Sequence, residues 1–365
     1  MDQTNGSITT SRLPPQRVTI AQLADKLGLT KGTVSRALNG YPDIADATRL
    51  RVQRQAERMG YRPLTQAQAI RTGRTRALGL VLQSDIPGGQ RPFLSDFLAG
   101  ISSTASEQSW TLTFATASSG PEMLGTLERL VHERKADGFI LPRTLRHDPR
   151  ADLLRQLDVP FVLYGRVADP EGCAWFDILG EDAIRQAVLR MAGHGHRRIA
   201  FVNGGAVYNF SALREDGFRQ GMAEAALAVD ESLMLEGAMT RQSGAAATSR
   251  LLTMPLPPTG IVFATDAAAL GAYDAAETLG LEVGQDVSVI SYDGIPEGAW
   301  ARPPLTTFNV DSRAAGQRLA GLLIRRIEGA APEALRETAQ AFLKIGGSDG
   351  PPRHAPEALA ARIQS

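Results

Sequence analysis

A chain of 365 residues, 43% of them hydrophobic, is long enough for two or three domains with adequate cores. Its net charge is zero, yet residues 1–76 hold 13 of the 39 basic and 5 of the 39 acidic residues, leaving 26 basic against 34 acidic beyond them. A basic head on an acidic body implies a polyanion partner for the head alone. One cysteine, Cys173, excludes an intrachain disulfide framework and suits a reducing compartment. No apolar run reaches the length of a membrane span, and residues 1–16 are a polar lead without a signal-peptide core, so a cytoplasmic protein is expected.

Residues 18–39 read as two short helices joined by a tight turn. Ile20, Leu23, Ala24 and Leu27 share one face, Thr19 with Gln22 forms a capping box, and Gly28 suits a left-handed stop. Thr30 caps the next helix, whose apolar stripe is Val34, Ala37 and Leu38. Its polar side carries Lys31, Gly32, Thr33, Ser35 and Arg36, a small, hydroxylic and basic face suited to a DNA major groove. A helical hairpin capping a larger domain is the plainer alternative. A third helix is expected over 46–59, ended by Gly60, with Arg49 near its start where phosphate binding is favoured. Residues 64–76 carry three arginines and no acid, and read either as a short helix ordered by phosphate or as a flexible linker.

From Ala77 short apolar runs alternate with helical patterns: 78–82, 112–115, 138–141, 161–163, 199–202, 261–264 and 287–291 are the strand candidates. Such alternation predicts parallel sheets covered by helices on both faces, and some 270 residues exceed one ordinary core, so two lobes are expected. Gln83-Ser-Asp-Ile-Pro-Gly-Gly after the first strand has neither a dinucleotide-binding glycine pattern nor a phosphate-loop lysine. The close pair His194 and His196 reads as surface turn residues rather than metal ligands. An enzyme, a metal and a cofactor are therefore not expected. The end of the chain, 349–365, reads as a loosely held tail with a short helix.

Val18-Thr-Ile-Ala-Gln-Leu-Ala, Thr33-Val-Ser-Arg-Ala-Leu-Asn39, Gly60-Tyr-Arg-Pro63, Arg71-Thr-Gly-Arg-Thr75, Asp137-Gly-Phe-Ile-Leu, Gly195-His-Arg-Arg-Ile-Ala-Phe and Asp286-Val-Ser-Val-Ile-Ser-Tyr-Asp293 resemble, in order, the landmarks of the LacI/GalR family of transcriptional regulators. The resemblance covers roughly 17–348. It implies an all-α helix-turn-helix head (17–62), a hinge (63–76) and an α/β body (77–348) of two lobes like the type I periplasmic sugar-binding proteins, crossed three times by the chain. It implies a homodimer or dimer of dimers, operator DNA as partner, and a small-molecule effector, a sugar, controlling operator affinity. Repression is the default for this architecture; a ligand-responsive activator and a transport-type sugar-binding protein are the alternatives.

On the family pattern Lys31 and Gly32 occupy the base-reading positions and Arg36 lies one turn on. Thr19, Thr30, Thr33, Ser35, Asn39, Thr48, Arg49 and Tyr61 complete the DNA-facing set, mostly on phosphates. Ile70 stands where the family places a minor-groove wedge, or else packs between two hinge helices. Leu64 and Gln66 depart from the family's usual residues there. The effector pocket carried over is Phe93, Tyr164, Arg166, Tyr208, Arg214, Thr265, Asp266 and Asp293. Arg214 and Asp293 would hold hydroxyls in charge-assisted bonds, and Phe93, Tyr164 or Trp300 would lie against a sugar face. Asp266 is either a ligand or the cap of the helix that follows it. Gly165 stands where aspartate is frequent in the family.

Overall fold

The computed structural model describes residues 18–61, 73–84 and 91–364, with the backbone alone at 91–93. The chain divides between Thr75 and Arg76 into two units.

In the first unit, three helices pool apolar faces that none could bury alone. They are α1 (Ile20–Leu27), α2 (Lys31–Leu38) and α3 (Asp46–Met59). Thr19 and Gln22 form the reciprocal capping box, Gly28 takes φ 65°, and the Thr30 hydroxyl accepts from the Thr33 amide. Leu23, Ala24, Leu27, Val34, Ala37, Val52 and Ala56 form the core.

The second unit is built on two six-stranded sheets. The first has the order β11-β5-β4-β3-β1-β2 and is parallel throughout. Its strands are β1 (Ala77–Gln83), β2 (Thr111–Ala117), β3 (Gly138–Pro142), β4 (Phe161–Tyr164), β5 (Ala174–Ile178) and β11 (Arg336–Ala339). The second has the order β12-β10-β9-β8-β6-β7, parallel except where β12 runs against β10. It comprises β6 (Ile199–Val202), β7 (Met234–Leu235), β8 (Gly260–Phe263), β9 (Ser288–Asp293), β10 (Thr306–Asn309) and β12 (Phe342–Lys344). Alternate residues of each central strand enter different cores: Ile140 and Val162 one, Phe139, Leu141, Phe161 and Leu163 another. In the second lobe Phe201 and Ile290 face one way, Val202, Phe263 and Val289 the other. Both faces are covered, so these strands read as unbroken apolar runs.

The chain passes between lobes three times: from β5 into the helix Gly180–Gly193, from β10 into the helix Ser312–Ile327, and from β11 into β12.

Two expectations need correction. The end of the chain is docked on the second lobe. Asp349 pairs with Arg190 at 2.6 Å and His194 at 3.1 Å, and Leu359 of the helix Pro356–Gln364 is fully buried in the lobe's core. His196 is not a surface residue. It is 1% exposed, with Nδ1 2.8 Å from the Thr259 hydroxyl and Nε2 2.9 Å from the Gly350 carbonyl, and burial lowers its basicity.

Candidate functional site

Parallel strands end with their carboxyl termini at one edge, and ligands bind in the crevice beyond that edge. The last residues of β3, β4, β5, β9 and β10 (Pro142, Tyr164, Ile178, Asp293 and Asn309) all line one cavity of about 440 Å³. The two lobes therefore point their strand ends at the same space.

Arg214 enters it from the buried face of the helix Asn209–Glu224. Its Nη1 donates to the Ala264 carbonyl at 2.5 Å, and its guanidinium lies 4.0 Å from the Tyr292 ring centroid and 4.6 Å from that of Phe210. Its Nε is buried and has no hydrogen-bond partner. Gly180 makes room for it: a Cβ there would lie 2.9 Å from Nε.

Asp293 closes β9 with φ 133°, a conformation L-residues rarely adopt. Burial, the main cause, pushes its carboxyl up to about 7, against the opposing pull of Arg214 and Arg143. Asp266 fixes the turn that follows. It is wholly buried and accepts from the amides of Gly294 at 2.7 Å and Ile295 at 2.8 Å, and from the hydroxyls of Ser291 and Thr307. Its carboxylate is saturated and does not line the cavity. Nor is it the cap of the helix Asp266–Thr278, because the Thr265 hydroxyl accepts from the Ala268 amide. Thr265 itself lines the cavity.

Arg166 lines the cavity with its charge already matched, 2.5 Å from both Asp177 and Glu181. Glu181 keeps its other oxygen, Oε2, buried and unpaired. Tyr164 stacks on Phe97, centroids 5.3 Å apart, and burial pushes its hydroxyl up, so it is a neutral donor. Gly165 has φ 107°, where aspartate would be strained, and a Cβ there would meet the Thr144 hydroxyl at 2.9 Å.

Two more carried-over residues do not line the cavity. Tyr208 stacks on Phe210, and Trp300 is 75% exposed. The Phe93 side chain lies outside the described residues. Sequence reasoning missed Arg143, Asp177 and Glu181. Arg143 lines the cavity with φ 52° and a buried Nη1 that has no partner. Among the described residues no cluster of three His, Cys, Asp or Glu side chains is arranged to hold a metal.

On the head, Lys31 and Gly32 are exposed at the start of α2. Much of the remaining set is engaged within the head. Arg36 pairs with Asp43 of the following loop, so the carboxylate-free face of the helix is neutralised from outside it. Arg49 is bound to the carbonyls of Tyr41 at 3.1 Å and Ile44 at 3.2 Å and braces that loop. Asn39 Nδ2 donates to the Ser35 carbonyl at 2.6 Å, and Tyr61 packs on the head core. Thr19, Thr30 and Thr33 serve the caps, and Thr48 is partly exposed. Ile70 and residues 62–72 lie outside the described residues.

Comparison with known proteins agrees with both units. Residues 19–63 match the model of bacterial regulatory proteins of the lacI family, and 188–348 match a periplasmic binding protein-like domain. The transcriptional regulator AglR of Rhizobium meliloti (strain 1021) is 36% identical over 349 residues, covering 92% of this chain and 95% of that protein. A solved complex of the transcriptional regulator CelR with cellobiose is 30% identical with TM-score 0.70, covering 91% of this chain and all of that one. The lac repressor dimer bound to operator shares the fold, with TM-score 0.75 at 24% identity over 92% of this chain and all of its own. The chain belongs to the lacI family of bacterial regulatory proteins.

Proposed function

We propose that this protein is a transcriptional repressor whose operator affinity is set by an uncharged sugar bound in the cleft between the lobes. One observation carries this: three residues that line the cavity hold two buried donors and a buried acceptor without partners. Arg143 Nη1 and Arg214 Nε offer hydrogens, and Glu181 Oε2 accepts. Adjacent hydroxyls of a sugar both donate and accept, and so match a mixed set of this kind. Phe210, Ile178 and Phe342 supply apolar wall for a ring face. The cavity lining sets Arg143, Arg166, Arg214 and Arg313 against Asp96, Asp177, Glu181, Asp293 and Asp311, so it has no surplus positive charge to select an anion. CelR, with cellobiose in its solved complex, supports the same class. Site residues are Arg143, Tyr164, Arg214 and Asp293 for the effector, and Lys31, Arg36 and Thr33 for DNA. The active form is a homodimer, and the cleft binds without catalysing.

The test is thermal unfolding of the full chain with glucose, cellobiose, maltose, raffinose, glucose 6-phosphate and guanine. A ligand at about 100 times its Kd stabilises the native state by about 2.7 kcal/mol. A neutral sugar is expected to raise Tm by several degrees, and Arg214→Ala to abolish the rise. Flat curves for every sugar, or a rise with the phosphate or purine alone, overturn the assignment. DNA selected from a random pool is expected to be a pseudo-palindrome; a lone half-site overturns dimeric binding.

A further inference from the structure

Across the cleft the lobes are joined by backbone as well as by side chains. The loop after β3 and the loop before the helix Asn209–Glu224 meet in an isolated antiparallel bridge between Leu145 and Tyr208. Two hydrogen bonds make it: the Arg146 amide donates to the Val207 carbonyl at 3.0 Å, and the Asn209 amide to the Thr144 carbonyl at 3.1 Å. Each arm is stiffened by its own lobe. On the first, buried Asp148 accepts from the Leu145 amide at 3.1 Å, and Arg150 ties that carboxylate to the Pro142 carbonyl. On the second, Asn203 donates to the Ser211 carbonyl at 2.9 Å and its own Oδ1 accepts from the Gly204 amide. Two preformed arms meeting through two bonds make a contact that forms or breaks as a unit.

Arg143 starts the first arm. Its backbone is left-handed, its Nη1 is an orphan in the cavity wall, and its charge interacts with Tyr208 of the opposite arm and with Asp293. We propose that the Leu145–Tyr208 bridge is the clasp that holds the cleft shut, and that Arg143 is the positioning residue linking the clasp to what fills the cavity. The link rests on the sugar-binding assignment above; the clasp does not. An occupant that bonds Arg143 Nη1 stabilises the closed arrangement only, which is the differential affinity a switch requires. Opening the cleft frees both amides to water.

Asn209 allows a narrow test. It is the first residue of its helix, where proline is well tolerated, so Asn209→Pro deletes the donor to Thr144 and keeps the helix. Asn209→Ala removes the same side chain and keeps the donor. Hydrogen exchange of the Arg146 amide is read on the full-length chain. Asn209→Pro is expected to accelerate it at least tenfold over Asn209→Ala, and Arg143→Gln to accelerate it over wild type. Equal rates in the two Asn209 variants overturn the clasp, and an unchanged rate in Arg143→Gln overturns the link. Cellobiose, or the panel sugar with the largest thermal shift, is expected to slow the Arg146 amide in wild type and not in Arg143→Gln. Slowing in both, or in neither, overturns the link. The Asn209 comparison contains no sugar, so failure of the sugar assignment and failure of the clasp appear in different measurements.

Discussion

Asp293 concentrates three costs in one residue: a φ of 133°, a carboxyl short of water, and an acidic neighbour in Asp266. Its ordinary value is 3.8, and in the folded chain it is pushed up to about 7. Between those values the empty native state binds a proton that the unfolded chain does not, so this group makes stability fall as pH rises from about 4 to about 7. Allowing for solvent at the cleft, the loss is on the order of 2 kcal/mol. Urea midpoints are expected to drop over that window in wild type and to stay level in Asp293→Asn, which also loses the sugar-induced shift; parallel pH profiles contradict this account. On the head, Arg36 and Asp43 form a solvent-exposed pair of small net worth, which DNA can displace cheaply. Asp43→Asn is expected to tighten binding to operator and random DNA alike, about threefold to tenfold, because it removes a competitor and a like charge. Arg36→Ala should cost about 1–3 kcal/mol on operator alone if the side chain reads a base. Filter binding on both DNAs separates the two effects. Arg214 and Asp293 were legible in sequence because motifs flank them. Arg143 and Glu181 were not, since their unpaired atoms exist only once the lobes face each other.

Elements differ in how much of themselves the sequence displays. The three head helices were legible to the residue at several ends, because Thr19, Gly28, Thr30 and Gly60 are local signals that act within one turn. Strands β1, β3 and β8 were legible because both faces are apolar. Strands β5, β10 and β11 were missed: Asp177 interrupts the first, Thr306, Thr307 and Asn309 make the second half polar, and Arg336–Ala339 is a polar edge. Their pairing is decided by partners far along the chain. The same holds for helix contacts. The helices Arg91–Glu107 and Ser312–Ile327 approach so closely that a Cβ on Gly100 would lie 2.1 Å from the Arg313 carbonyl. Gly100→Ala is expected to destabilise the body by about 1–3 kcal/mol through overpacking, outweighing its gain in helix propensity; a raised urea midpoint would show that the helices can separate at no cost. Removing residues 349–365 strips the carboxylate partner of Arg190 and His194 and uncovers the site of Leu359. The burial of that leucine alone puts the expected loss at about 2 kcal/mol or more.

At the scale of the whole molecule, the charge split and the two units assign separate tasks to separate surfaces: polyanion binding to the basic head, small-molecule binding to the acidic body. A regulator must join them, and the joining has a thermodynamic signature that needs no knowledge of the intervening geometry. If a sugar changes operator affinity by some factor, operator DNA must change sugar affinity by the same factor. Calorimetric titration of the sugar into free protein and into the protein–operator complex, set beside operator titrations with and without sugar, is expected to return equal ratios of about 5-fold to 150-fold. Raising the salt should weaken operator binding along a linear log–log slope, because phosphate contacts release counterions. Sugar affinity of the free protein should hardly move with salt, since an uncharged ligand in a cleft whose Arg166 is already matched by Asp177 and Glu181 exchanges no counterion. The coupling factor then changes with salt only as far as the two states of the head differ in their phosphate contacts. A sugar affinity as salt-dependent as operator binding would mean that the effector is an anion, and a coupling factor of one would mean that the cleft does not control the head.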